Sequence, residues 1–219
     1  MPEFFVIVLV VWIFSVCVHE FAHAAVAYWG GDHSVAQKGY LTLNPLRYTH
    51  PLYSLLMPLV FLVIGGIGLP GGAVYVDDRA LRSRGWRSAV SFAGPAGSAL
   101  VLLALAAPFA LGVFTYGDKR LIACLFAFMA GLQATAVLFN LLPIPPLDGF
   151  GIIAPFLPAA LHERILRLGH WPFLILILVM MRANRFTAWF WDQIFRLLLA
   201  LGIPPHLFVE GFRHFRFWE

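Results

Sequence analysis

The stretch from residue 4 to 29 constrains this chain most: it is apolar enough and long enough to cross a bilayer, and its second half carries His19-Glu20-Phe21-Ala22-His23. A hydrocarbon core is spanned by roughly 20 apolar residues in a helix, and ionisable side chains inside such a segment are costly and usually functional. On a helix, positions i and i+4 share a face. His19 and His23 can therefore offer two imidazoles to one metal, with Glu20 close enough to act on water at that metal; this is the HExxH signature of zinc hydrolases. The plainer alternative, two packing histidines beside a neutral buried acid, leaves the cost of burying three polar side chains unexplained. Cleavage of the run as a signal peptide is disfavoured, because Met1-Pro2-Glu3 lacks a basic region and removal would destroy the motif.

Composition extends the membrane reading to the whole chain. Hydrophobic residues make up 61% and charged residues 12%, and the mean hydropathy is +0.83, too apolar for one soluble core. The net charge of +4 sits in short loops between apolar runs, so it reads as a topology signal and not as a nucleic-acid surface. Cys17 and Cys124 both fall in apolar segments and imply no disulfide framework.

Taken in order, the first span ends at Gly30-Gly31. Tyr40-Leu41-Thr42-Leu43 has β character, and a short strand or hairpin beside the metal is expected there. Pro51 to Leu69 is apolar but broken by Pro58 and several glycines, which fits either a re-entrant pair or a span. The loop from Pro70 to Arg87 holds Arg79, Arg82, Arg84 and Arg87 against Asp77 and Asp78, and the positive-inside rule puts it in the cytoplasm. Trp86 to Phe114 is a long apolar segment whose early small residues allow close helix approach. Leu121 to Leu142 spans again and runs into Asn140-Leu141-Leu142-Pro143-Ile144-Pro145-Pro146-Leu147-Asp148-Gly149. Backbone unwound between apolar stretches normally lines a cavity or site. Beyond it come a short apolar stretch (150–161), a basic one (162–170), a stretch (171–181) that can complete a span with its flanks, a tryptophan-rich helix (186–201) that either spans or lies at the interface, and an aromatic and basic tail (212–218) suited to a headgroup boundary.

Two histidines leave a zinc site short of protein ligands. Asp32, Asp77, Asp78, Asp118, Glu163 and Asp192 sit in hydrophilic turns or beside basic residues, where solvation or ion pairing is expected. Asp148 alone follows a proline-broken segment between apolar stretches, although an Asp-Gly turn would also suit it.

HEFAH at 19 to 23, Ala93-Gly94-Pro95, and Asn140-x-x-Pro143-x-Pro145-x-x-Asp148-Gly149, in this order, resemble the site-2 protease family of intramembrane zinc metalloproteases. Leu41-Thr42-Leu43-Asn44-Pro45-Leu46 is similar to a compact subgroup without PDZ or CBS domains. The resemblance implies that His19, His23 and Asp148 bind one Zn2+, that Glu20 is the general base, and that Asn140 and Pro143 help hold substrate. It also implies a first helix entering from outside and an active site near the cytoplasmic face. Two places depart from the family: Arg47-Tyr48-Thr49-His50-Pro51 replaces a common Lys-His-Ile-Asp-Pro, and Ser98 stands where Asn often follows the Ala-Gly-Pro.

The expectation is therefore an all-α polytopic membrane protein with five to six transmembrane or re-entrant helices and a short β-hairpin near the active site. It forms one domain over 1–219, with a catalytic core at about 4–150 and C-terminal helices at about 151–219. Residues 36 to 43 are expected to pair with an unwound substrate by strand addition. The protein would sit in the cytoplasmic membrane, cut transmembrane substrates and bind no nucleic acid; its oligomeric state is open. The rivals are a non-hydrolytic metal transporter or haem-binding membrane protein and an inactive scaffold for partner helices. A transporter would show ligands on several spans or a repeat, a haem pair has no use for Glu20, and a scaffold has no need of the intact His19, Glu20, His23 and Asp148 set.

Overall fold

A computed structural model describes residues 2–48, 74–114, 119–182, 184–216 and 218. Helix α1 covers Pro2–Gly30, 29 residues, or about 43 Å at the helical rise per residue. It ends where Gly31 turns into the left-handed region at φ 119°. Helix α3 (Arg84–Ala110) begins on Ser83, whose hydroxyl accepts from Trp86 N–H, and runs on through Pro95 and Pro108. Helix α4 (Arg120–Asn140) returns toward the end where α1 terminates. These three helices are each long and apolar enough to cross a membrane.

Helix α3 packs along both α1 and α4. In lipid, close van der Waals packing between small residues replaces the hydrophobic drive. A Cβ placed on Gly97 would lie 3.1 Å from the Ala22 Cβ and 3.2 Å from the Val18 carbonyl. The small residues at the head of α3 thus do what the sequence suggested and bring α3 against the motif-bearing half of α1.

Between α1 and α3 the short helix α2 (Ser34–Gln37) and the bends at 41–43 replace the expected β segment, and no strand occurs among the described residues. The reading of 36–43 as extended is therefore corrected. Local capping wins over β propensity: Asp32 Oδ1 accepts from Ser34 N–H at 3.0 Å, and Gly39, at φ 76°, lets Tyr40 N–H bond back to the Val35 carbonyl. Asp32 is also not the solvated turn acid expected of it. It is 1% exposed, and its second oxygen accepts from Asp77 N–H at 2.8 Å, which ties the 74–77 segment to the end of α1. Tyr48 is buried, with its one hydroxyl proton shared between the carbonyls of Cys17 on α1 and Thr42. The candidate re-entrant stretch 51–69 lies outside the described residues, as does Asp118.

Helix α4 stops at Asn140, and 141–147 form turns, with Pro145-Pro146 in cis, before the short helix α5 (Asp148–Ile153). The close return needs Gly149: a Cβ there would sit 2.3 Å from the Leu141 carbonyl oxygen. Helices α6 (Ala159–Arg167) and α7 (Trp171–Met180) follow. At 10 residues α7 does not span alone; with α8 (Arg185–Ala200) it makes a fourth candidate span bent by 78°. Of the five to six spanning or re-entrant helices anticipated, three or four are thus found among the described residues. Phe190, Ile194 and Leu198 of α8 are buried at helical spacing, while its Asp192 and Arg196 pair on the exposed face at 2.7 Å.

The chain's end holds an element the sequence reading missed. Helix α9 (Pro205–Phe215) buries Phe208, Gly211 and Phe215, and Phe208 and Phe215 stack around Phe128 of α4 at ring distances of 5.6 and 5.2 Å. Part of the supposed headgroup tail is therefore core. Its signals were Pro205 at the first helical position and phenylalanines at 208, 212 and 215.

Candidate metal centre

Helix α1 places His19 and His23 one turn apart, 6% and 9% exposed, with Glu20 at 4% beside them. Their Nε2 atoms are 3.1 Å apart. The α4–α5 turn brings Asp148 to them, with Oδ2 3.2 Å from His19 Nε2 and Oδ1 3.4 Å from His23 Nε2. Among the described residues this is the one group of three metal-ligating side chains whose donor atoms converge, all within 4.8 Å of one another.

The outer contacts orient both rings. His23 Nδ1 lies 2.7 Å from the Val90 carbonyl, which can only accept, so Nδ1 carries the proton and Nε2 presents a lone pair. His19 Nδ1 lies 3.0 Å from Ser98 Oγ, and donation to that oxygen gives the same tautomer. Ser98, a departure from the related pattern, thus supplies the polar contact that holds a ligand ring. Asp148 Oδ2 is buried and finds no hydrogen-bond donor among the described residues.

This geometry fits zinc. Donors about 2.0–2.1 Å from a tetrahedral centre stand about 3.3 Å from one another, and the separations here are 3.1, 3.2 and 3.4 Å. Electron-rich atoms this close, with the ring protons turned outward, repel unless a cation lies between them. One carboxylate with two neutral imidazoles also halves the charge of a divalent ion in a low-dielectric site.

Gly94 is the residue that leaves room. A Cβ there would stand 2.2 Å from His23 Nε2 and 2.5 Å from His19 Nε2. Gly94→Ala should favour α3 as a helix by about 1 kcal/mol yet push both imidazoles out of position. The expected outcome is a folded protein with zinc bound at least tenfold more weakly (about that, by analogy with lost ligand positioning), read by metal titration. Wild-type zinc affinity in this variant would show that the metal does not sit against Gly94.

A cavity of about 540 Å³ opens over the three donors and is lined also by Glu20, Asn140 and Leu147. Asn140 is 2% exposed, and its side-chain N–H group has no acceptor among the described residues. Pro143 is exposed in the turn and is not part of the cavity wall; Pro146 is. The sequence reading also missed the 74–77 segment, whose Val74, Tyr75 and Val76 line the cavity. Lys38 Nζ holds it by donating to the Tyr75 carbonyl at 2.9 Å.

Over 221 residues the chain is 40% identical to "Putative zinc metalloprotease Rip2" of Mycolicibacterium smegmatis, covering 98% of this chain and 82% of that protein. The protein of the same name from Mycobacterium tuberculosis is 42% identical over 216 residues, with the same coverage of 98% and 82%. "Putative zinc metalloprotease YwhC" of Bacillus subtilis is 30% identical over 194 residues, covering 85% of this chain and 84% of that one. No family model and no solved structure matches the chain.

Proposed function

Since this chain belongs to the site-2 protease family, we propose that it is an intramembrane zinc metalloprotease that hydrolyses peptide bonds in or near the transmembrane segments of other membrane proteins. The observation that carries this reading is the convergence of His19 and His23, on a helix able to span a bilayer, with Asp148 at tetrahedral spacing and with Glu20 on the same cavity. Zinc held there supplies Lewis acidity, polarising a peptide carbonyl and making water a nucleophile near neutral pH.

The chain's own groups supply the rest. Val90 and Ser98 keep both imidazoles turned with Nε2 toward the metal. Glu20 takes the proton from the attacking water and returns it to the leaving amide nitrogen. Asn140, on the wall of the cavity, holds the substrate backbone there. Pro143 keeps the turn that presents Asp148 and acts on substrate only through that turn. A substrate helix must unwind to bring a carbonyl into the cavity, and the 74–77 segment on the cavity wall is where the opened chain lies.

The site lies in the C-terminal half of α1 and at the C-terminal end of α4; the arginine loop meets the end of α1, where Arg82 N–H donates to the Gly30 carbonyl at 3.0 Å, and reaches the cavity wall through Arg87. The positive-inside rule then puts the active site near the cytoplasmic face of the cell membrane, with the α1 N-terminus outside. Residues 1–219 act as one domain, the C-terminal helices packing on the catalytic core. Single cysteines in 79–87 should react with an impermeant reagent only from the cytoplasmic side; labelling only from outside overturns this orientation.

The activity test uses purified protein in liposomes with a model transmembrane substrate. Cleavage should stop on removal of zinc by a chelator and return on adding it back. Cleavage that survives complete zinc removal rules out the metalloprotease reading.

A further inference from the structure

Next to the catalytic cavity lies a second chamber of about 390 Å³. The two share Asp78, Arg87 and Ser91 on their walls. The second chamber adds Arg84 from the first turn of α3 and His162 from α6, and its floor is the contact of α5 with α3, where a Cβ on Gly151 would lie 2.4 Å from Ser91 Oγ. Arg87 is fixed at the junction, its Nε donating to the Asp78 carbonyl at 3.2 Å. Two permanent cations and one carboxylate thus line a partly enclosed space, and guanidinium is the group best shaped to take a carboxylate in a bidentate grip.

We propose that this chamber receives the substrate residues that adjoin the scissile bond and selects an Asp or Glu side chain there. The proposal rests on the peptidase reading of the first cavity. A space of this volume is about 9 Å across, which at the rise of an extended chain holds roughly three residues. An extended peptide whose carbonyl sits at the metal and whose flank passes Arg87 and Ser91 enters it directly. The shared wall favours substrate over a resident anionic lipid headgroup, because anything bound here abuts the catalytic cavity.

The test uses full-length, zinc-loaded protein in neutral-lipid vesicles and transmembrane peptides bearing one Glu, Gln or Lys at each position within about four residues of the cleaved bond. In the wild type, Glu at one or more of these positions should raise kcat/KM about tenfold over Gln. Arg84→Glu should bring that ratio to about one or below and favour Lys, whereas Arg84→Lys should keep much of the preference; a merely structural role for Arg84 predicts neither pattern. A Glu-to-Gln ratio near one at every position in the wild type, or a ratio unchanged by Arg84→Glu, overturns the proposal and leaves the peptidase reading intact. Anionic vesicles that change the cleavage of Glu and Gln peptides alike, with no ratio between them, identify a headgroup site and overturn it too. If the wild type cuts no peptide faster than Glu20→Gln does, the peptidase reading falls and this proposal falls with it.

Discussion

Glu20→Gln is expected to leave the protein folded and zinc-loaded while lowering kcat by about 100- to 10,000-fold, the range that a positioned acid–base group supplies. The substitution keeps size and most polar contacts, and it touches none of the three converging donor groups. Substrate affinity should change little, because Glu20 acts on water and on the leaving nitrogen and does not hold the chain. The measurement is kcat and KM on a transmembrane peptide, with zinc content determined on the same preparation. A kcat close to wild type with zinc bound would mean that some other group moves the proton. Loss of zinc would instead make Glu20 part of the metal site.

Asp148→Ala is expected to act one step earlier, by removing the metal. Two imidazoles on one turn of α1 remain, and the ion then keeps its full charge in a poorly solvated site. Zinc affinity should fall by at least about 100-fold, more than the loss of an outer hydrogen-bond partner costs, and cleavage should stop. Asp148→Asn, which keeps the shape at the start of α5, should lose zinc as well, and this separates ligation from any role of Asp148 in the turn. Unchanged zinc affinity in both variants would make Asp148 a turn residue and move the third ligand elsewhere.

Much of the site was legible because its first half is local. The four-residue spacing of His19 and His23 guarantees a common helix face, and the apolar run around them makes burial of three polar groups meaningful. Asp148 was legible only in part. Its proline-broken context marked it out among the acids, but local sequence also allowed an Asp-Gly turn; it is in fact the first residue of α5, just after the turns, and part of the donor cluster. Gly94 looked like one of several small residues easing helix packing. Only the position of α3 against α1 shows that its missing Cβ is the space beside both Nε2 atoms. The β reading of 36–43 failed because alternation over four residues is a weak signal, and the Asp32 and Gly39 hydrogen bonds close a helical turn there. Helix α9 was missed because Glu210, Arg213 and His214 alternate along the sequence with its apolar residues, although they fall outside its buried face.

By itself, the sequence determined that this chain lives in a bilayer and carries two imidazoles and a carboxylate on one turn of a membrane helix, since both follow from periodicity and from the cost of burying polar groups in lipid. The tertiary structure brought Asp148, which its context and the family resemblance had only singled out, to those imidazoles, and it alone decided which atoms orient them and that a cationic chamber adjoins the cavity. These depend on how α1, α3 and the α4–α5 turn pack against one another, and contacts between residues far apart in the chain leave no local spacing from which they can be read.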